Sequence, residues 1–261
     1  MKAFYFNRLK ALNIEELLDG FDPISLDRMN SVKLLDRMDT KYMFHVCHLE
    51  DILAQLKNDY FILTIEGNRF SHYETVYYDT SDYEMYTQHQ NGKLNRYKVR
   101  LRTYVDSNLN FFEIKFKTNK GRTIKKRVQL EKKDLSIAGE AQKLLEKKTN
   151  YEVTSLKPAM QVNYKRITLI SKNMTERLTI DFGLSFTRGK ECIDMANLVI
   201  TEIKQNRSGH SPFTAIMLEK RIKSTSLSKY CLGMASIVEN IKINNFKSKL
   251  RYVNQLLSSN A

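Results

Sequence analysis

Cysteine, proline and long apolar runs are all scarce in this sequence of 261 residues. The three cysteines, Cys47, Cys192 and Cys231, lie far apart and form no CxxC pair. This spacing argues against a disulfide framework or a zinc knuckle and favours a reduced, cytoplasmic setting. No run approaches the roughly 18 apolar residues of a membrane span, and no apolar signal segment begins the sequence. With only three prolines and no low-complexity stretch, we expect no long disordered linker.

Acidic residues are also few relative to basic ones. The sequence contains 43 Lys and Arg against 29 Asp and Glu, a formal net charge of +14. Such a balance favours phosphates, nucleic acid or an anionic membrane as partner. With 42% hydrophobic residues, the chain suits one soluble domain with a full core. We expect a single domain over 1–261, with peripheral helices at 1–20 and 236–261.

The stretch from Tyr97 to Leu130 predicts three consecutive β-strands, each with one apolar and one mainly cationic face. Side chains alternate along a strand, so Lys98, Arg100 and Arg102 share one face of the first. The corresponding faces of the next two strands carry Lys115, Lys117, Lys125 and Arg127. Asn119-Lys120-Gly121 supplies a turn, and the short links favour an antiparallel meander.

A cationic face on a single strand is usually a solvated face. On three neighbouring strands, however, like charges would lie roughly 5 Å apart and repel each other. A concentrated basic face therefore implies a polyanion that offsets the repulsion.

Further strands and helices extend this pattern through the chain. Strands are predicted at 37–44, 73–79, 160–167, 175–182 and 198–204, and helices at 25–31, 48–57, 136–148, 213–223 and 228–243. We therefore expect an α+β fold, an antiparallel β-tunnel formed by a closed barrel of about eight strands with helices packed outside. Because buried unpaired charges are costly, its charged lumen must hold water and anions.

Several short motifs follow one another along the sequence in an order typical of one family. They are Asp36-Arg37-Met38-Asp39-Thr40-Lys41-Tyr42, Tyr77-Tyr78-Asp79-Thr80, Lys98-Val99-Arg100-Leu101-Arg102-Thr103-Tyr104, Phe112-Glu113-Ile114-Lys115, Tyr164-Lys165-Arg166, Glu176-Arg177-Leu178-Thr179-Ile180-Asp181, Thr201-Glu202-Ile203-Lys204 and Ser228-Lys229-Tyr230. With these motifs, the chain from about Phe21 to Gly233 resembles the catalytic domain of the vacuolar transporter chaperone complex and its bacterial polyphosphate polymerase relatives. That family belongs to the triphosphate tunnel metalloenzymes.

The resemblance implies a tunnel that binds triphosphate and transfers the γ-phosphoryl group of ATP to a growing polyphosphate chain, with Mn²⁺ or Mg²⁺. The phosphate-binding residues that it implies are Lys41, His89, Arg100, Arg102, Lys115, Lys125, Arg127, Arg166, Arg177 and Lys229. Those also implied in catalysis are Lys41, Arg100, Arg102, Lys115, Arg166, Arg177 and Lys229. The implied metal ligand is Glu202. Eukaryotic members carry an arginine near the position of His89. Whether Lys125 or Lys126 is the phosphate-binding lysine depends on the register of the hairpin, which the sequence leaves open.

Plainer interpretations of these charged residues stay open. Arg166 and Arg177 could form structural ion pairs with Asp181 or Glu202. Glu113 could serve only to orient a neighbouring lysine rather than to bind metal.

The trio of His45, Cys47 and His48 is spaced like a metal cluster. Without a fourth ligand, such a trio is more often structural. We therefore expect no metal site there.

Two other functions fit the same residues. The tunnel could hydrolyse triphosphate or a nucleotide, or the chain could bind polyphosphate or RNA without catalysis. ATP and inorganic polyphosphate are the implied partners, and a membrane partner on a separate chain is a further option. We expect no DNA binding, and the lack of an RNP-like or Gly-rich motif argues against RNA.

Overall fold

One sheet of twelve strands dominates the computed structural model, which describes residues 12–31, 37–206, 211–226 and 228–258. The strands are β1 Asp22–Ile24, β2 Arg37–His45, β3 Tyr60–Leu63, β4 Ser71–Asp79, β5 Arg96–Tyr104, β6 Leu109–Lys117, β7 Thr123–Leu130, β8 Lys157–Ser171, β9 Glu176–Arg188, β10 Glu191–Met195, β11 Leu198–Asn206 and β12 Ser224–Thr225. The helices are α1 Ile14–Asp19, α2 Leu26–Ser31, α3 Leu49–Leu56, α4 Glu84–Gln90, α5 Gly139–Lys148, α6 Pro212–Glu219, α7 Lys229–Ile237 and α8 Lys247–Ser258. The α+β class is confirmed.

The strands predicted from alternation are confirmed, but several elements differ in length. Strands β8 and β9 have 15 and 13 residues and are therefore longer than the strands predicted at 160–167 and 175–182. The helix predicted at 228–243 is too long, because α7 ends at Ile237. Helix α4 was not predicted from the sequence. Asp79 holds its first turn, because the carboxylate accepts hydrogen bonds from the backbone N–H groups of Met85 and Tyr86, both at 2.9 Å.

The two predicted peripheral regions contain α1 and α8. Of the helix predicted at 1–20, residues 1–11 lie outside the described residues, as do residues 259–261 of the other region. Within the described part of the chain, no helix has the length and apolar character needed to span a membrane.

The strands follow the order β12-β2-β11-β9-β8-β4-β5-β6-β7, and all neighbours on this path are antiparallel. Strand β10 pairs with β9 in the antiparallel direction, and β3 pairs with both β8 and β1. In the parts of the chain that the structure describes, no pairing joins β7 to β12 or β2. The expected closed barrel of about eight strands is therefore not what the pairing shows: the sheet is larger and its end strands are not hydrogen-bonded to each other.

Strand register places the cationic residues of β5, β6 and β7 on one face. Lys98 pairs with Lys115, which pairs with Lys125 on β7. Arg100 pairs with Glu113 in the next row. We call this face, and its continuation on β4, β8, β9, β11 and β2, the inner face. The prediction that these cations share one side of the sheet is confirmed.

The opposite, outer face packs against helices. One buried cluster joins apolar side chains of β2, β8, β9 and β11 to α1, α3 and α6, with Leu53, Ile180 and Met217 at full burial. A second joins β4, β5 and β6 to α5, with Val99 and Leu145 at its centre. Both clusters arise from the alternation predicted above.

One end of the inner face is apolar and is covered by α7. Met43 on β2, Ile200 on β11 and Phe186 on β9 form a buried cluster with Met234 and other residues of α7. The helix approaches so closely that a Cβ at Gly233 would lie 2.5 Å from Cδ1 of Phe186. We call this region the apolar end; helix α7 begins beside the cations and runs along it.

Candidate functional site

The inner face brings together cations from strands that are far apart in the sheet. Lys98 on β5 and Lys41 on β2 are separated by four strands in the pairing order, yet the charge of Lys41 helps to lower the pKa of Lys98. Likewise Glu202 on β11 acts on the pKa of Lys115 on β6. Side-chain contacts agree with this proximity: Ser228 accepts from Nζ of Lys98 on β5, and the adjacent Lys229 pairs with Asp181 on β9, so the sheet curves between these strands. The inner face is therefore concave and its charges converge.

Glu113 on β6 is the centre of a first cluster and is completely buried. It accepts from Nε and Nη2 of Arg100 at 2.7 and 2.5 Å, forms an ion pair with Lys125, and lies 3.9 Å from Nη1 of Arg102. Burial alone would raise the pKa of Glu113, but the charges of these three cations outweigh it and lower that pKa. Glu113 therefore stays ionised and holds several cations in place.

Asp181 on β9 is the centre of a second cluster. Arg166 donates to its two oxygens at 2.5 and 2.8 Å, and Lys229 at the start of α7 also pairs with it. The ring of Tyr164 lies beneath both cations, and its hydroxyl accepts from Nη2 of Arg102 at 3.2 Å. Tyr164 thus links the second cluster to the first. The prediction that Arg166 could form an ion pair with Asp181 is therefore confirmed.

Glu202 on β11 forms the third cluster, with Lys41 at 3.1 Å and Lys204 at 2.9 Å. Burial would raise the pKa of Glu202, but the two lysines lower it below its usual range. No group of three potential metal ligands occurs among the described residues. A divalent ion bound by one carboxylate commonly takes its other ligands from substrate phosphates and water. Glu202 therefore fits a metal that arrives with phosphate, and not a preformed metal cage.

Three carboxylates thus serve seven cations in these clusters. Two more inner-face cations, Lys98 and Lys115, have no carboxylate within 4.0 Å among the residues described. Arg100, burial and Arg102 together lower the pKa of Lys115 to about 5. Burial lowers the pKa of Lys98 to about 8. Lys115 is therefore neutral at pH 7 in the free protein, but the seven cations paired with only three carboxylates still leave the inner face with an excess of positive charge.

The other predicted phosphate-binding residues lie at the edges of this arrangement. Arg177 on β9 donates to the carbonyl oxygen of Met29 at 3.2 Å, beside α2. The guanidinium of Arg127 lies 4.5 Å from the centre of the Phe111 ring on β6. Residue Lys125 belongs to the inner face, as the resemblance implied.

Lys126 pairs with Ile114 and points to the outer face. The register therefore shows that Lys125, and not Lys126, lies on the inner face, a choice that the sequence left open.

His89 on α4 lies apart from the three carboxylate clusters. Its ring packs edge-on against Phe246, with centroids 6.2 Å apart, and its Nδ1 is buried without a hydrogen-bond partner. Burial, followed by the charges of Lys98, Arg96 and Lys249, lowers the pKa of His89 to about 2. The ring is therefore neutral at physiological pH and contributes no positive charge.

Within the trio of His45, Cys47 and His48, a local hydrogen bond joins the first two residues. Nδ1 of His45 accepts from the backbone N–H of Cys47 at 3.2 Å, which caps the short helix Val46–His48.

The phosphate-binding residues implied by the resemblance do not include Lys98, Lys204 or Tyr164, although alternation had already placed Lys98 on the cationic face. Lys204 follows Glu202 by two residues and so lies on the same face, a signal that strand alternation could have supplied. The link through Tyr164 depends on β8 and β5 lying either side of β4, which no local pattern predicts.

Comparisons with known proteins found one family model and several solved structures that are similar to most of the chain. A family model described as the VTC domain matches residues 36–238. Similar solved structures include a candidate adenylyl cyclase from Hippeastrum, described as having a dominant triphosphatase activity (10% identity, TM-score 0.49, 78% of this chain and 98% of that one). Another is a candidate adenylate cyclase from Vibrio parahaemolyticus (12% identity, TM-score 0.45, 75% of this chain and 97% of that one). No curated protein matched.

Proposed function

Because the chain belongs to the VTC domain family, we propose that it is a polyphosphate polymerase. It transfers the γ-phosphoryl group of ATP to a growing chain of inorganic polyphosphate, inside a tunnel lined by the inner face. ATP as donor fits a cytoplasmic location. A membrane partner on a separate chain stays a prediction.

One observation carries this proposal: the convergence of cations on the inner face beyond what three carboxylates neutralise. A face built for folding alone would match each buried cation with an acid, since unpaired buried charge is costly. Lys98 and Lys115 lack such acids within reach, and the pKa of each is lowered. A bound polyanion would supply the missing negative charge along the whole row.

Arg102 is the inner-face arginine best prepared to take a phosphate. Its Nε is buried without a hydrogen-bond partner, and its contact with Glu113 is long at 3.9 Å. Arg100, by contrast, already donates twice to that carboxylate. Because a guanidinium can hold two oxygens in fixed geometry, Arg102 would align the phosphoryl group for transfer.

The reaction needs alignment and charge neutralisation more than proton transfer. An oxygen of the terminal phosphate of the chain attacks the γ-phosphorus, the bond from that phosphorus to the β-phosphate oxygen breaks, and ADP leaves. The attacking oxygen is already ionised at neutral pH, so no general base is required. Arg166, Arg177, Lys41 and Lys229 would position donor and acceptor phosphates around this point.

A divalent metal, Mn²⁺ or Mg²⁺, would be held by Glu202 together with substrate phosphates, where it would neutralise charge on the β- and γ-oxygens. To accept it, Glu202 would release Lys41 or Lys204. The released ammonium group could then pair with a phosphate oxygen, so the total charge of the cluster would remain balanced.

The test is incubation of the purified protein with ATP and Mn²⁺ or Mg²⁺, with polyphosphate detected on a gel and ADP measured in parallel. We expect polymer from the wild type and none from Arg102→Ala or Glu202→Ala. Lys126→Ala, which removes an exposed outer-face lysine, is the control matched in charge to Arg102→Ala and should make polymer at the wild-type rate.

Two results would contradict the proposal. Release of free phosphate without polymer would favour a hydrolase in the same tunnel. Binding of polyphosphate or RNA without consumption of ATP would favour a non-catalytic binder.

A further inference from the structure

A fourth group of cations lies beyond the three carboxylate clusters, where β5, α4 and α8 meet the start of α7. It consists of Arg96 at the beginning of β5, Lys98 two residues later, and Lys249 on α8. Lys249 and His89 pack against the same Phe246 ring, with Nζ of Lys249 5.7 Å from the ring centre, and the charges of all three cations lower the pKa of His89. We call this group the outer cation group.

No carboxylate among the described residues lies within 4.0 Å of Arg96, Lys98 or Lys249. Instead, neutral oxygens hold the amines: Nζ of Lys98 donates to Ser228 Oγ at 3.0 Å, and Nζ of Lys249 donates to the carbonyl and hydroxyl oxygens of Ser226 at 2.6 and 2.9 Å. These contacts fix the positions of the charges but neutralise none of them.

Two buried nitrogen atoms also lack a hydrogen-bond partner at this place. Nε of Arg96 and Nδ1 of His89 are both buried without a hydrogen-bond partner in the structure. Buried polar atoms are normally satisfied, and one that is not points to an absent ligand or water. Mutually repelling cations beside a buried guanidinium N–H that has no partner favour an anion over water alone.

Strand geometry connects this group to the inner face. Arg96, Lys98, Arg100 and Arg102 alternate along β5, so each lies about 6.6 Å beyond the previous one. The row therefore runs without interruption from the Glu113 cluster, past Lys98, to the outer cation group. A triphosphate on the inner clusters would not need to reach Arg96 or Lys249, whereas a longer phosphate chain following the row would.

We propose that Arg96, Lys98 and Lys249 form a second anion-binding site that holds distal phosphates of a polyphosphate chain whose end lies on the inner face. This inference rests on the proposed function, since it assigns the growing chain a path past the N-terminal end of α7. The neutral ring of His89 lines the path without adding charge. The site explains why the two lysines are held here by serine oxygens, and Arg96 by the carbonyl oxygen of Lys93, with no acidic partner among the described residues.

The experiment compares binding of inorganic tripolyphosphate and of long-chain polyphosphate by calorimetry, without ATP. The test variant is Arg96→Gln/Lys249→Gln. The matched control is Lys126→Gln/Lys247→Gln, which removes two exposed lysines for the same change in net charge. Thermal unfolding of each variant checks that it folds, and the single variant Lys249→Gln serves if the Arg96 change does not fold.

We expect the test variant to bind long-chain polyphosphate at least tenfold more weakly and tripolyphosphate within twofold of the wild type. The control should bind both as the wild type does. Unchanged affinity for the long chain, or an equal loss for both ligands, would overturn this site while leaving the proposed function intact. A wild-type protein that binds neither ligand would overturn both.

Discussion

The two ends of the inner face are built by the same strands and yet are opposite in character. Strand β2 contributes Met43 to the apolar end and Lys41 to the cationic part, and β11 contributes Ile200 and Glu202 in the same way. The members of each pair are only two positions apart in the sequence. At the apolar end, α7 supplies the partner surface; at the cationic end, the protein supplies too few acids.

This difference separates what stabilises the fold from what prepares it for a ligand. Apolar side chains are satisfied by folding itself, because α7 removes them from water. Folding does not satisfy an excess of convergent cations in the same way, because each unneutralised charge makes the free protein less stable. Changes at the apolar end should therefore lower stability, whereas changes among the cations should lower phosphate affinity and in some cases raise stability.

The largest expected effect comes from Phe186→Ala at the apolar end. The ring is fully buried against α7, so its removal leaves a cavity and should cost about 3–5 kcal/mol of unfolding free energy. Urea unfolding measures the loss, and tripolyphosphate affinity of the folded fraction should stay near that of the wild type. Ile124→Ala, at a side chain that is 48% exposed on β7, is the control and should cost far less. A loss of phosphate affinity at full stability would contradict the division of roles.

The next effect is that of Glu113→Gln, which removes a buried counter-ion that several cations share. Leaving Arg100 and its neighbours without it should destabilise the free protein by about 3 kcal/mol. Added polyphosphate should restore part of this loss in thermal unfolding, because it replaces the missing negative charge. The control is Glu74→Gln, whose partly exposed pair with Lys133 should be worth at most about 1 kcal/mol. Equal losses for the two variants, or no recovery with polyphosphate, would speak against an unneutralised inner face.

Alternation was enough to predict which cations of β5, β6 and β7 share a face, because side-chain direction along a strand is a local property. It failed where the register changes. Asp181 and Leu184 both face inward although they are three residues apart, since a bulge at Gly183, with φ +61°, shifts the pairing of β9 with β8. The alternation around a bulge cannot be read without the partner strand.

Three further features depended on long-range packing and were out of reach of the sequence. The position of α7 on the apolar end depends on contacts across several strands. The sharing of Glu113 by cations of two strands depends on pairing, and the separation of β7 from β2 depends on the curvature of the whole sheet. The ligand residues themselves came from the family resemblance, and their roles stay predictions.

A smaller effect, opposite in sign, is expected for Lys115→Met. The pKa of Lys115 is about 5 in the folded protein, far below the 10.4 of an unfolded lysine, so the unfolded state binds more protons between these values. Stability contributed by this residue therefore rises with pH across that window and is lowest below pH 5. At pH 7 the variant should gain about 1 kcal/mol, or about 2–4 °C in Tm, and should lose the pH slope.

The same substitution should weaken tripolyphosphate binding. In the wild type, binding at pH 7 should take up protons, because a nearby phosphate raises the pKa of Lys115. Calorimetry in buffers of different ionisation enthalpy detects this uptake, and it should be smaller in the variant. A variant that is less stable than the wild type at every pH would show that Lys115 belongs with the structural residues.

The smallest effect distinguishes two adjacent lysines on β7, the last strand of the pairing order. Lys125 faces inward and pairs with Glu113 although 37% of its side chain is exposed, whereas Lys126 faces outward. Lys125→Gln should weaken tripolyphosphate binding by about 1 kcal/mol, roughly fivefold, and Lys126→Gln should have no effect. Because no strand pairs with the outer edge of β7 among the described residues, this strand is the part of the inner face least fixed by neighbours. Equal affinities for the two variants would mean that the phosphate site ends at β6 and that Lys125 serves only to neutralise Glu113.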